Sequence, residues 1–364
     1  MSVDANGIGT RQFFFEALPG RVVFGPGSAR RELADAVAAL GAQRLLLIAA
    51  APEAALADEL AAPLGERVVG RFDGVRPHVP VEVGVAAVAA ARAAGADAVL
   101  SVGGGSTTGT AKAVARETGL PIVAVPTTYA GSEMTPVWGS TEGGTKTTGR
   151  DLQVLPRLVV YDPELTFSLP AAITAASGMN ALAHCVEALY APGRNPVTSL
   201  IALEAIGALA RALPGAVAAP EDVGARSEAL YGAYLAGSAF AVAGSGLHHK
   251  ICHALGGAFD LPHAETHSVV LPHVVAFQQP AAAAAMDRVA TALGAAPGGA
   301  ATALYDLAAG LEVPLSLAAI GMPADGIEPV VDPIVAAVPA DNPRPVDADD
   351  VRRILTSAYA GERP

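Results

Sequence analysis

The chain has 364 residues, a net charge of −12, a hydrophobic share of 52% and two cysteines, which suits one large domain or two with separate cores. The acidic balance argues against nucleic-acid and acidic-membrane partners, and Cys185 and Cys252 are too few for a disulfide framework. No uninterrupted apolar stretch reads as a membrane span, and the opening "MSVDANGIGTRQFFFEALPG" lacks the basic-then-apolar layout of a signal peptide, so the expectation is a cytoplasmic chain with no membrane partner.

Taken in order, "RVVFG" reads as a strand, "SARRELADAVAALG" as a helix and "RLLLIAA" as a strand. A helix around "PEAALADELAAPLG" leads to the strand "RVVGRF", then to the helix "VEVGVAAVAAARAAG" and the strand "DAVLSVGGG". The helix "TTGTAKAVARETG" precedes the strand "PIVAVPTT", and "RLVVYDPEL" closes the series. Alternation of this kind predicts a parallel sheet covered on both faces. After "LTFSLP" the strand signals stop, and helices such as "PVTSLIALEAIGALARAL", "ARSEALYGAYLAGSAFAV" and "DADDVRRILTSAYAG" follow one another. The Pro-rich segment 322–347 reads as loops with at least one short helix, and the change of rhythm falls near Asp162–Pro170.

"DAVLSVGGGSTTGT" puts Gly103, Gly104 and Gly105 between a strand and a helix, where a backbone without side chains can approach a pyrophosphate. Ser106 is placed to cap that helix. A second strand ends in Thr127 and Thr128, so both loops would lie at the carboxyl ends of parallel strands, where open α/β sheets bind ligands. A dinucleotide site follows as the expectation, over the alternative of a plain tight turn. The end of "RLLLIAAAP" carries Ala49, Ala50 and Ala51 where an acid would grip ribose hydroxyls, which leaves NADH and NADPH both open; Glu53 nearby serves equally as a solvated helix-start charge.

Seven of the eight histidines lie between residues 184 and 273. Asn180 and His184 share one face of an alanine-rich helix, His249 and His253 are one turn apart, and His263 follows a glycine break. Convergence of His184, His249, His253 and His263 on one cavity is the expectation. For His78, His267 and His273 an ordinary core or surface position is the better reading.

Here "GGGSTTGTAKAVA", "PTTYAGSEMT", "YDPELTFSLP", "GMNALAHCVEALYA" and "HHKICHALGGAFDLPHAETH" resemble the iron-containing alcohol dehydrogenase superfamily over nearly the whole chain. Within it, "PTTYAGSEMTPVWG", "KTTGRD" and the asparagine of "GMNALAH" resemble the branch of maleylacetate reductases. The resemblance implies a Rossmann-like α/β dinucleotide-binding domain over residues 1–163, an all-helical substrate and catalytic domain over residues 164–364, and an active site in the cleft between them. It also implies a homodimer. Family cofactor contacts carry over to Gly103, Gly104, Gly105, Ser106, Thr127 and Thr128, with Thr135 and Lys146. Positions that bind a divalent ion in metal-dependent members correspond to Asn180, His184, His249 and His263, and His253 matches a further active-site histidine.

An amide in place of the carboxylate leaves both charges of a divalent cation uncompensated, so no tightly bound metal is expected. The implied reaction is NAD(P)H-dependent reduction of the C=C bond of maleylacetate to 3-oxoadipate in the breakdown of aromatic compounds, with chlorinated maleylacetates left open as further substrates. Hydride adds β to the ketone, and the resulting enolate needs aimed donors rather than a Lewis acid. His253 or His263 is expected to deliver the proton, with His184 and His249 shaping the pocket. Asn180, Lys250 and Arg150 are the expected contacts for the small dicarboxylate. The rival readings are a metal-dependent alcohol or polyol dehydrogenase of the same superfamily and a non-catalytic nucleotide-binding protein.

Overall fold

The computed structural model describes residues 13–143 and 145–364, and for Thr145 and Lys146 the backbone alone. The first twelve residues, and with them most of the segment weighed above as a leader, lie outside the described residues.

The N-terminal half alternates as its sequence does. β1 (Arg21–Phe24), α1 (Ser28–Leu40), β2 (Leu45–Ile48), α2 (Ala54–Ala61), β3 (Val68–Phe72), α3 (Val81–Ala94), β4 (Ala98–Gly103), α4 (Gly105–Thr118) and β5 (Ile122–Pro126) follow in turn. Next come β6 (Val137–Glu142), β7 (Thr145–Arg150) and β8 (Leu158–Tyr161). Six strands form one sheet in the order β1-β8-β5-β4-β2-β3, every neighbour pair parallel. β2 and β4 are buried along their whole length, as strands covered on both faces must be, which is why they read as unbroken apolar runs. β6 and β7 pair antiparallel as a separate hairpin that the sequence reading did not anticipate.

The second half is helical: α5 (Ala171–Ala188), α6 (Pro196–Ala218), α7 (Val223–Ala243), α8 (Leu247–Phe259), α9 (His263–Gln278), α10 (Ala283–Ala292), α11 (Ala300–Gly310), α12 (Glu328–Ala337) and α13 (Ala348–Ala360). α12 is the short helix of the Pro-rich segment. α6 is long and apolar enough to cross a membrane by length and composition, contrary to the sequence reading. Half of its most apolar window is buried, and it packs against α5 and α7 as a core helix.

Asp162, in the "YDPEL" motif, shows how local chemistry fixes the frame. Its buried carboxylate accepts the N–H groups of Gly27 (2.9 Å) and Ala29 (3.1 Å), satisfying orphan donors at the start of α1 and clamping that turn to the end of β8. One apolar cluster then runs from Leu46, Val99 and Ile122 of the sheet into Met179, Leu209 and Leu230 of the helices. The two halves therefore share a core.

Candidate active site

A cavity of about 600 Å³ opens between the carboxyl ends of β4 and β5, the β6–β7 hairpin, and helices α5, α7, α8 and α9. Its floor begins at the glycine turn. Gly103 has φ +147°, and a Cβ there would lie 2.5 Å from Thr107 Oγ1. A Cβ on Gly104 would lie 3.0 Å from Thr128 Cγ2, so the loops after β4 and β5 touch at a spacing that suits hydrogen. Gly105 and Ser106 line the cavity; Gly103, Gly104, Thr127 and Thr128 form the paired loops behind it.

The expected role of Ser106 needs correction. α4 begins at Gly105 with Gly104 as its cap, and no side chain caps it. Ser106 falls inside the first turn, where its carbonyl accepts from Thr110 Oγ1 at 2.9 Å. The N–H groups at this helix start are therefore not occupied by a cap, and a bare glycine cradle beside a cavity of this size fits a dinucleotide phosphate.

A second wall is the strip Gly131–Val137. Thr135 and Ser132 line the cavity there, and a Cβ on Gly237 of α7 would lie 2.8 Å from the Gly131 carbonyl. Lys112, fully buried on α4, also lines the cavity and bonds to this strip. Burial pulls its pKa down to about 7 against the opposing pull of Glu133; the oxygens around Nζ favour the ammonium.

The imidazoles converge as expected. Asn180 and His184 project from α5, and His184 stacks on His249 at 5.2 Å between ring centroids. Phe240 of α7 lies 4.7 Å from each of these rings, an apolar lid on a polar pair. His253 is 5.9 Å from His249 and stacks on His263 at 6.5 Å. All four histidines and Asn180 line the cavity, together with Lys250 and Arg150. Arg150, on β7, donates from Nη1 to the Ala241 carbonyl at the end of α7, so the hairpin is tied to the helical half. The side chain of Lys146 lies outside the described residues.

Several participants were not read from the sequence. His267 is fully buried and central rather than peripheral: it lies 4.5 Å from His263, 4.7 Å from His249 and 4.8 Å from His248 by ring centroids. Its Nδ1 is 2.9 Å from His248 Nε2. His78, also read as ordinary, lines the cavity mouth 3.8 Å from Asp260 of the facing half. Glu187, one turn beyond His184 on α5, is fully buried; its carboxylate accepts the His248 N–H at 2.7 Å and bonds to His249 Nδ1. A carboxylate only accepts, so His249 carries its proton on Nδ1. Burial pushes His184 and His248 down to about 3 and His267 well below its usual range, so these rings are neutral at physiological pH.

At the positions that the family resemblance matches to a divalent-ion seat, the donors are an amide and three imidazoles. Asn180 contributes no charge, and its buried Oδ1 has no hydrogen-bond partner among the described residues. Among the described residues, the one set of three His, Cys, Asp or Glu donors within 4.8 Å of one another is His248, Cys252 and His267, not the trio His184, His249 and His263. Three imidazoles and an amide spread wider than that offer a hard cation no anionic oxygen.

The iron-containing alcohol dehydrogenase family matches residues 19–163, and the Fe-containing alcohol dehydrogenase family, C-terminal, matches residues 174–359. The chain belongs to the iron-containing alcohol dehydrogenase family. Within the family it is 51% identical to a maleylacetate reductase of Sphingobium indicum over 353 residues, spanning 97% of this chain and 99% of the relative. It is 50% identical to a maleylacetate reductase of Burkholderia cepacia over 354 residues, again 97% and 99% of the two chains. The crystal structure of a maleylacetate reductase from Agrobacterium tumefaciens superposes with a TM-score of 0.92 at 46% identity, covering 98% of this chain and all of that one.

Proposed function

We propose that the chain is an NAD(P)H-dependent oxidoreductase that reduces the C=C bond of maleylacetate to give 3-oxoadipate, and that of chlorinated maleylacetates to give the corresponding chlorinated 3-oxoadipates, during the breakdown of aromatic compounds, with no tightly bound metal. The observation that carries this reading is an amide, Asn180, on a cavity wall of imidazoles with two cations, Lys250 and Arg150, at the same cavity. Full-length relatives named maleylacetate reductase at about half identity support the same substrate.

The bound dinucleotide supplies the hydride, and the glycine cradle, Ser106 and Thr135 are the residues to hold it. Lys250 and Arg150 offer charge-assisted bonds to the two carboxylates, which sets the enone between them and beside the imidazoles. Hydride arriving β to the ketone drives electrons onto the ketone oxygen, and the imidazoles lining the cavity stabilise that enolate. His253 or His263 delivers the proton to the carbon α to the ketone, completing addition of H₂ across the double bond. His184 and His249, held by Phe240 and Glu187, shape the pocket. The reading extends to a cytoplasmic homodimer.

The experiment is incubation of the purified protein with maleylacetate and NADH or NADPH, with mass and carbonyl analysis of the product. A gain of two hydrogens with the ketone retained is expected. Reduction of the carbonyl to an alcohol, or cofactor binding without turnover, would contradict the proposal.

A further inference from the structure

Lys112 lies two helical turns beyond the glycine turn, on the same helix, and is completely buried. Its Nζ donates to the carbonyls of Ser132 (2.7 Å), Thr135 (2.9 Å) and Val137 (2.6 Å), with Thr135 Oγ1 a further 3.1 Å neighbour. Three ammonium hydrogens meet three carbonyls, which is a full complement. No carboxylate bonds to the ammonium among the described residues; the buried acid in the strip, Glu133, instead accepts from Tyr161 OH at 2.6 Å. Three carbonyls of the strip are gathered onto one cation, and the Ser132 carbonyl also accepts from Thr135 N–H (3.1 Å) and Oγ1 (3.2 Å).

What the strip does explains why such a costly buried charge is retained. Ser132, Thr135 and Val137 form one side of the crevice, and Gly105 and Ser106, at the start of α4, form the other. The strip also abuts the helical half: a Cβ on Gly131 would lie 3.4 Å from both Gly237 Cα and His184 Nδ1. One helix thus carries the phosphate cradle at its start and, about 10 Å along its axis by helical rise, the cation that fixes the opposite wall.

We propose that Lys112 is a positioning residue for the dinucleotide, setting the width of the crevice between the glycine turn and the strip Ser132–Val137. The proposal rests on the reading that this cavity takes a dinucleotide. It requires Lys112 to act on cofactor affinity through the wall, and not on the enone.

Trp138, the chain's one tryptophan, reports on this directly: it follows Val137, lines the cavity, and has the Arg116 guanidinium 4.2 Å over its ring. NADH and NADPH are titrated against Trp138 fluorescence in the wild type and in Lys112→Met, which keeps the length of the side chain and removes its donors. Lys112→Gln, with two N–H donors, is the companion variant should the first fail to fold. Expected are a rise in the dissociation constant of about tenfold or more in Lys112→Met and a smaller rise in Lys112→Gln. The Trp138 emission maximum of the free variants should shift as well, while the KM for maleylacetate at saturating cofactor stays within about twofold. A folded variant with wild-type cofactor affinity overturns the proposal, even if its melting temperature falls. A wild type that binds neither dinucleotide overturns the reading beneath it.

Discussion

Glu187 and His249 are joined carboxylate to Nδ1 across the meeting of α5 and α8, and the same carboxylate accepts the His248 N–H at the start of α8. One buried side chain thus fixes both the tautomer of a cavity imidazole and the entry of the helix that carries His249, Lys250 and His253. A carboxylate behind a functional histidine holds the ring in place and raises its basicity.

Glu187→Gln keeps the volume and loses the charge. It should lower kcat by about tenfold or more with little change in the KM for maleylacetate. The weakened start of α8 should cost about 1 kcal/mol, visible as about 1–2 °C in melting temperature. Unchanged turnover would mean that the pair is structural alone.

His253→Ala and His263→Ala test the proton donor. Loss of a general acid should reduce kcat by about a hundredfold in at least one of them. Dinucleotide affinity, read from Trp138 fluorescence, should stay close to wild type because neither ring belongs to the glycine cradle. Near-wild-type rates in both variants would refute the assignment.

Asn180→Asp restores the charge that the seat for a divalent ion lacks. Zinc or iron retained after gel filtration, measured by elemental analysis, should increase. The added carboxylate beside a dicarboxylate substrate should raise its KM by about tenfold, or roughly 1.4 kcal/mol of repulsion. A variant with unchanged metal content and unchanged KM would show that residue 180 does not face the substrate.

Acid should destabilise the fold early. Burial holds His184 and His248 near 3 and His273 near 4, and His267 well below its usual range. An unfolded chain protonates these rings near 6.5, so below that pH it binds protons that the folded chain refuses. Stability should therefore fall as pH drops from about 6.5 toward 4, each ring contributing up to about 1.4 kcal/mol per pH unit. Thermal melts from pH 7.5 to 4.5 check this; a midpoint flat down to pH 5 would contradict it.

The sheet was legible because each buried strand is a short apolar run, as in Leu45–Ile48, set between amphipathic helices. The β6–β7 hairpin was not, because "VWGSTE" and "TKTTGR" offer no apolar alternation; its positioning contacts include Arg116 over Trp138, Lys112 on the Val137 carbonyl and Arg150 on the Ala241 carbonyl, all remote in sequence. The four cavity histidines could be read from spacing and family motifs. Glu187 and His267 could not: a lone acid or imidazole on an apolar helix has the same pattern whether it faces solvent or a buried partner. Lys112 was hidden for the same reason, since its partners are backbone carbonyls and leave no trace in residue type.

In the proposed reaction imidazoles, and not an ion beside Asn180, stabilise the enolate. The most direct measurement of this is the rate of maleylacetate reduction before and after dialysis against a strong chelator, with residual metal quantified and iron or zinc then added back. The rate should be unchanged throughout. Activity that disappears with the metal and returns with iron or zinc would mean that an ion stabilises the enolate.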